Sequence, residues 1–335
     1  MRRMLILLTV LIGGARLAGA QPTPQDMLWQ SGVAAVQAGD WYEAAHIWNS
    51  IIGLKEWKLR QTREEAILQL LQAKQRLCCT AEARGIALDL LAAHPADTYT
   101  VRILVPLTTI AAAAGQPDQV EGAVRLALDD PIRPPEIMAQ YLTEVVKVEQ
   151  PRLVLQALLR YLAVHPAHPL YLPMRLAAAQ LAAAAGEHPA ALNAARELLA
   201  DAAGTPVEAG TAALVAAEEA ALGHYRQAGE VVWALMPYYP TDTTSQVAAL
   251  TYFRQSGNLQ RTADVAMVLA KTTVPRQTVE TLFWLGEVAL AQGDNDHAKQ
   301  WLSALNDAVP EHPLAAKARR LLKSLTAPSR AVVTQ

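Results

Sequence analysis

Eight histidines and two cysteines are the residues of this 335-residue chain best suited to metal or acid–base chemistry. Their spacing decides whether they do any. In VHPAHPLYLP, His165 and His168 lie three apart, an interval that on one helical face would set up a pair of metal ligands. Each precedes a proline, and proline drives the residue before it out of the helical region, so the two do not project from one face. Five histidines stand before proline: His94, His165, His168, His188 and His312. Four of these lie between helical segments, and His188-Pro189 opens one. A histidine that ends a helix also meets the negative end of its dipole. These positions read as structural, and no metal site is expected. HExxH and Cys-x-x-Cys are both missing from the chain.

Cys78 and Cys79 are neighbours in RLCCTAEA. In an oxidising compartment an adjacent pair would close a strained disulfide ring. The reading that fits a turn better is two small buried hydrophobes in place of turn residues, with Thr80 capping the next helix. Glu64-Glu65 and Glu218-Glu219 offer paired carboxylates, but they sit on helical stretches facing largely outward and read as solvated. Trp48, Trp284 and Trp301 fall at helix-packing positions and read as core. Neither a Gly-x-Ser-x-Gly elbow nor a Gly-x-x-x-x-Gly-Lys-Ser/Thr phosphate loop occurs. Catalytic residues and cofactors are therefore expected to be none, and the chain is not expected to be an enzyme.

The elements that carry these residues follow from composition. A net charge of −2 with no long run of either sign argues against a nucleic-acid binder and against a polybasic membrane anchor. Hydrophobic residues make up 52%, much of it alanine, with only two Phe, which suits closely packed helices better than a sheet. Arg2 and Arg3, the apolar run from Leu5 to Ile12, and Ala18-Gly19-Ala20 form the pattern of a secretory signal over residues 1–20. A spanning helix needs about 20 apolar residues, and Gly13-Gly14 and Arg16 interrupt this run. Cleavage after Ala20 would leave a mature protein in the periplasm, without stable membrane insertion. Residues 327–335 lack periodicity and read as a disordered tail.

Between them, residues 21–326 repeat. QAGDWYEAAH at 37–46 returns as AQGDNDHAKQ at 291–300. In each, glycine is placed to take the left-handed conformation that ends one helix, and aspartate to cap the next. The same turn recurs at Gly115, Gly186, Gly223 and Gly257, with degenerate versions near Cys78 and Glu149. The intervals from Gly39 to Gly293 are about 39, 37, 34, 37, 37, 34 and 36 residues, the period of a helical-hairpin repeat.

The last unit sets Gly286, Ala289, Gly293-Asp294, Ala298, Leu302 and Pro310 in order; the first sets Gly32, Ala35, Gly39-Asp40-Trp41, Ala44 and Trp48. This pattern resembles the tetratricopeptide repeat. The resemblance implies an all-α, right-handed superhelical solenoid of about eight antiparallel helix pairs, closed by a capping helix over Leu314 to Leu325. In that family the first helix of each pair lines the concave side. The register then offers a partner-binding groove of Trp29, Val33, Val36, Leu68, Gln72, Val247, Thr251, Arg254, Phe283, Glu287 and Leu290. Its mixed character, without a Lys/Asn/Arg cluster, fits an extended or helical protein segment better than a peptide's terminal carboxylate. The function implied is a non-catalytic exported scaffold that binds protein partners and organises an envelope complex. A narrower alternative is a subunit of an exopolysaccharide (cellulose- or alginate-type) secretion apparatus, in contact with the polysaccharide exporter. An enzyme built on a helical toroid is left without a catalytic domain once the repeats are assigned.

Overall fold

The computed structural model describes residues 23–57, 62–97, 99–238, 242–271 and 279–326. The export signal expected over 1–20 and the tail expected over 327–335 lie outside the described residues. Within them, seventeen helices and no strand occur. The first five are α1 (Pro24–Ala38), α2 (Trp41–Ile52), α3 (Arg63–Arg76), α4 (Thr80–Ala93) and α5 (Thr100–Ala113). Next come α6 (Pro117–Leu128), α7 (Pro135–Val145), α8 (Pro151–Val164), α9 (Tyr171–Ala184), α10 (His188–Asp201) and α11 (Glu208–Ala221). The last six are α12 (Tyr225–Leu235), α13 (Thr243–Gln255), α14 (Leu259–Lys271), α15 (Val279–Ala291), α16 (Asn295–Ala308) and α17 (Pro313–Thr326). None is long and apolar enough to cross a membrane. The chain divides into two compact units between Ile110 and Ala111.

In the first unit α1 packs on α2, α2 on α3 and α3 on α4. In the second, successive helices from α8 to α14 and from α15 to α17 do the same, and α6–α8, α7–α9, α9–α11 and α15–α17 also touch. Contact with the next helix but one is what a stack of hairpins produces, because one hairpin cannot cover both of its apolar faces.

The turns explain the repeated phrase. Gly39, Gly115, Gly186, Gly223, Gly257 and Gly293 all have φ between 65° and 82°. At Gly39 the glycine N–H donates to the Val36 carbonyl (3.1 Å) and the next N–H, of Asp40, reaches back to Ala35 (2.9 Å). The other five close with the same two bonds, as at Gly293 to Leu290 and Asp294 to Ala289. This pair ends a helix by satisfying its last carbonyls. Asp40 and Asp294 then accept from the N–H of Glu43 and His297, each at 3.1 Å, and so begin the following helix. The turn near Glu149 is built otherwise. No residue there has positive φ, and Pro151, its φ already near the helical value, starts α8.

Small residues let the paired helices approach. A Cβ on Gly32 would lie 2.8 Å from Trp48, and one on Gly286 would lie 2.5 Å from Leu302. Trp48 fills the first unit's core beside Trp29, the rings edge to face at 4.9 Å, among Ala44, Ile51, Ala66 and Leu70. Phe253, Leu250, Val265 and Leu285 anchor a core in the second unit. Trp284 and Trp301 pack half-buried at its edge. Helix α17 buries Ala315 and Ala318 and turns Lys317, Arg319, Arg320 and Lys323 outward, as a closing helix should.

The histidines before proline act in the connections. His168 and His312 each accept, through Nδ1, the N–H two residues on, at 3.0 and 3.2 Å. His94 meets Asp97 at 2.5 Å, and His165 stacks on Tyr161 at 4.3 Å between ring centres. Cys78 and Cys79 depart from expectation. They are free thiols, Cys78 exposed and Cys79 half-buried, so neither is a buried hydrophobe. A hairpin tip is the part of the unit farthest from its apolar seam, and residues there meet solvent.

Candidate partner-binding surface

The residues assigned to the groove from the repeat register come from α1, α3, α13 and α15 and divide by burial. Trp29, Leu68 and Phe283 are 6%, 7% and 5% exposed and belong to the packing between helices. Val33, Val36, Val247, Thr251, Glu287 and Leu290 are half-buried; Gln72 and Arg254 are exposed. The Thr251 hydroxyl donates to the Val247 carbonyl at 2.8 Å. Arg254 donates to Glu287 at 2.7 Å and lies 4.8 Å over the centre of the Trp284 ring. Three of the named side chains are thus core, and two are open to a partner along their length.

The Arg254–Glu287 pair has counterparts. On the first helices of the first unit, Arg102 grips Glu65 through two bonds of 2.8 Å. On the second helices, Arg160 reaches Glu121 at 3.2 Å and Arg261 reaches Glu230 at 3.3 Å. Each links helices of the same kind in neighbouring hairpins, 31 to 39 residues apart. Partly exposed pairs of this kind contribute up to ~1 kcal/mol each. Their effect is to fix how one hairpin registers on the next. Opposite charges one repeat apart are the sequence signal by which they could be found.

A second feature was not foreseen. Glu218 and Glu219 on α11, expected to face solvent, are 5% and 1% exposed. Their partners lie on other elements. The His188 Nδ1, at the start of α10, lies 2.8 Å from Glu218; Arg196 of α10 donates to Glu219, whose other oxygen lies 2.9 Å from the Nδ1 of His224. A buried carboxylate is tolerated only with such partners. Above Glu219 opens a cavity of about 730 Å³. Arg196, Leu199 and Ala200 of α10 form one wall, Arg226, Gln227, Glu230 and Val231 of α12 the other, and Val215 and Glu219 of α11 the floor. A smaller hollow of about 380 Å³ continues it past Ala212 to Ala234 and Leu235. The lining of the larger cavity mixes apolar side chains with the charged ends of Arg196, Glu219, Arg226 and Glu230. Its carboxylates are engaged by Arg196, His224 and Arg261, while Arg226 is exposed with no ion pair among the described residues.

No protein-family model and no curated protein matches the chain. Among solved structures it is similar to Pseudomonas aeruginosa PilF, at 12% identity over 77% of this chain and 97% of that one, with a TM-score of 0.39. It is similar also to a tetratricopeptide repeat protein from Parabacteroides merdae, at 13% identity over 90% and 98% of the two chains and a TM-score of 0.30. A third is PilW, a type IV pilus biogenesis factor, at 15% identity over 77% and 99% and a TM-score of 0.30. Likeness at this level carries no inference about what this chain binds. The hairpins are tetratricopeptide-like on their own geometry. Gly32 under Trp48, the Gly39-Asp40 turn, and their matches Gly286 under Leu302 and Gly293-Asp294 hold the positions that such a repeat assigns to them.

Proposed function

We propose that this chain is a non-catalytic scaffold that binds protein partners, exported to the periplasm to organise an envelope complex. One observation carries the reading. The ionisable side chains that bridge neighbouring hairpins are occupied by one another, as in Glu65–Arg102 and Arg254–Glu287. What they leave to a partner on the first helices of each unit is mixed apolar and polar: Val33, Val36 and Gln72 in the first unit, Val247 and Thr251 in the second. Such a face suits an extended or helical protein segment, which is held by pockets and shape. The net charge of −2 supports a protein ligand over nucleic acid.

Photo-crosslinking in intact cells tests it, with the crosslinker placed at Gln72 and Arg254, and at Lys323 on the outer face of α17 as control. Discrete protein adducts at the first two and none at the third are expected. Equal yields at all three, or no adduct at any, would overturn the reading. An exopolysaccharide exporter among the adducts would select the narrower role.

A further inference from the structure

Among the described residues seven turns are closed by the same two backbone bonds, and one of them carries thiols. The Cys78 N–H donates to the Gln75 carbonyl at 3.1 Å, and the Cys79 N–H reaches back to Lys74 at 3.0 Å, as the glycine and its successor do in the other six. Those six place glycine at positive φ and follow it with a polar residue: Asp40, Gln116, Glu187, His224, Asn258 or Asp294. Here Cys78 stands at φ 59°, the one non-glycine at positive φ among the described residues. That conformation is one a side-chain-bearing residue adopts only at a cost. Cys79 occupies the N-cap position of α4 and makes no capping bond, like Gln116, Glu187 and His224 and unlike Asp40 and Asp294. Neither replacement improves packing, since Cys78 is exposed and Cys79 only half-buried. The positive φ at Cys78 departs from the repeat's own rule and costs stability, and the two residues together bring the same reactive group to one solvent-facing tip.

We propose that Cys78 and Cys79 form a reversible thiol–disulfide site that is oxidised by exchange with a disulfide-bearing molecule. Exposure assigns the roles. The Cys78 sulfur, its proton released to water, attacks one sulfur of the oxidant. The oxidant's S–S bond breaks, and its other half leaves as a thiolate that takes up a proton. The Cys79 sulfur, held 3.8 Å from the Leu77 carbonyl oxygen, then attacks the Cys78 sulfur of the mixed disulfide and releases the second half as a thiol. The protein dithiol loses two electrons and two protons, and the oxidant disulfide becomes two thiols. Neighbouring Cα atoms are about 3.8 Å apart, below the ~4.4–6.8 Å usual for disulfides, so the closed ring is strained and easily reduced. The site is suited to switching rather than to holding the fold.

The test is the full chain incubated with oxidised glutathione and followed by intact mass, with Cys78→Ser, Cys79→Ser and Cys78→Gly variants beside it. The wild type should lose the mass of two hydrogens, retain clearly less glutathione per chain than Cys79→Ser, and return to the dithiol with dithiothreitol. Cys79→Ser should hold about one glutathione per chain, on Cys78, for want of a resolving thiol. Cys78→Ser should react more slowly, because Cys79 is half-buried where Cys78 is exposed. Cys78→Gly, with the residue the other turns use, is the folding control, and its melting must be no lower than wild type. A stable adduct on wild type equal to that on Cys79→Ser, disulfide-linked dimers, or equal rates for the two serine variants would overturn the proposal.

Discussion

Arg102 on α5 holds Glu65 on α3 through two parallel hydrogen bonds of 2.8 Å, thirty-seven residues apart in sequence. The guanidinium keeps the Glu65 carboxyl below its ordinary value, against the opposing effect of burial. A carboxyl lowered in the folded state adds stability that is present above its unfolded value, and this stability is lost as pH falls through the folded value. Arg102→Met should therefore lower stability by up to ~1 kcal/mol at neutral pH, the pair being partly exposed. As pH falls below the ordinary carboxylate range and then through the lowered folded value, the gap between variant and wild type should close. Thermal melts across that range measure it; a gap that stays constant down to acid pH would show that Arg102 acts through packing and not charge.

Gly293 tests the turn itself. Its φ is 75°, and a Cβ there would meet nothing within 4 Å, so backbone strain is the only penalty for a side chain. Gly293→Val should cost about 2 kcal/mol, and Gly293→Asn clearly less, because asparagine tolerates this region better than β-branched residues do. Equal melting of the two variants would contradict the geometry.

Gly286 tests close approach rather than conformation. A methyl there would sit 2.5 Å from the Cγ and Cδ2 of Leu302. Gly286→Ala should cost about 1–3 kcal/mol by overpacking. Leu302→Ala costs stability by itself, but in that background the added methyl should be nearly neutral or favourable. A double-mutant cycle read by denaturant unfolding gives the coupling; additive effects would mean that the two residues do not touch.

His188 and Glu218 test the buried acids. With His188→Ala, Glu218 keeps its burial and loses its side-chain partner at 2.8 Å. The expected loss is about 1–3 kcal/mol. Adding Glu218→Met should recover part of it, since an apolar side chain of similar length leaves no charge unpaired. Chemical denaturation of the three proteins decides the matter, and a double variant weaker than His188→Ala would show that Glu218 has other support.

Much of the fold was legible because its rules are local. Gly39-Asp40 and Gly293-Asp294 write a helix end and a helix start in two residues, and Gly32 and Gly286 mark where a large side chain comes down on a backbone. What escaped was long-range. Glu218 and Glu219 read as solvated because nothing within a turn of α11 shows that His188 and Arg196 close over them from 30 and 23 residues away. Trp29, Leu68 and Phe283 satisfy the groove register, yet a position on a helix does not reveal how far its neighbour reaches across. Their burial follows from packing on the adjacent helices. The turn at Cys78 was visible as an interruption of the pattern, but the positive φ that makes it costly was not.

Because each tip is sealed by bonds that reach back no more than five residues, a hairpin closes without waiting for any distant part of the chain. Contacts so near in sequence favour rapid assembly. The same independence makes the hairpin a unit of inheritance: whole modules can be copied or dropped during evolution while the others keep their own means of folding.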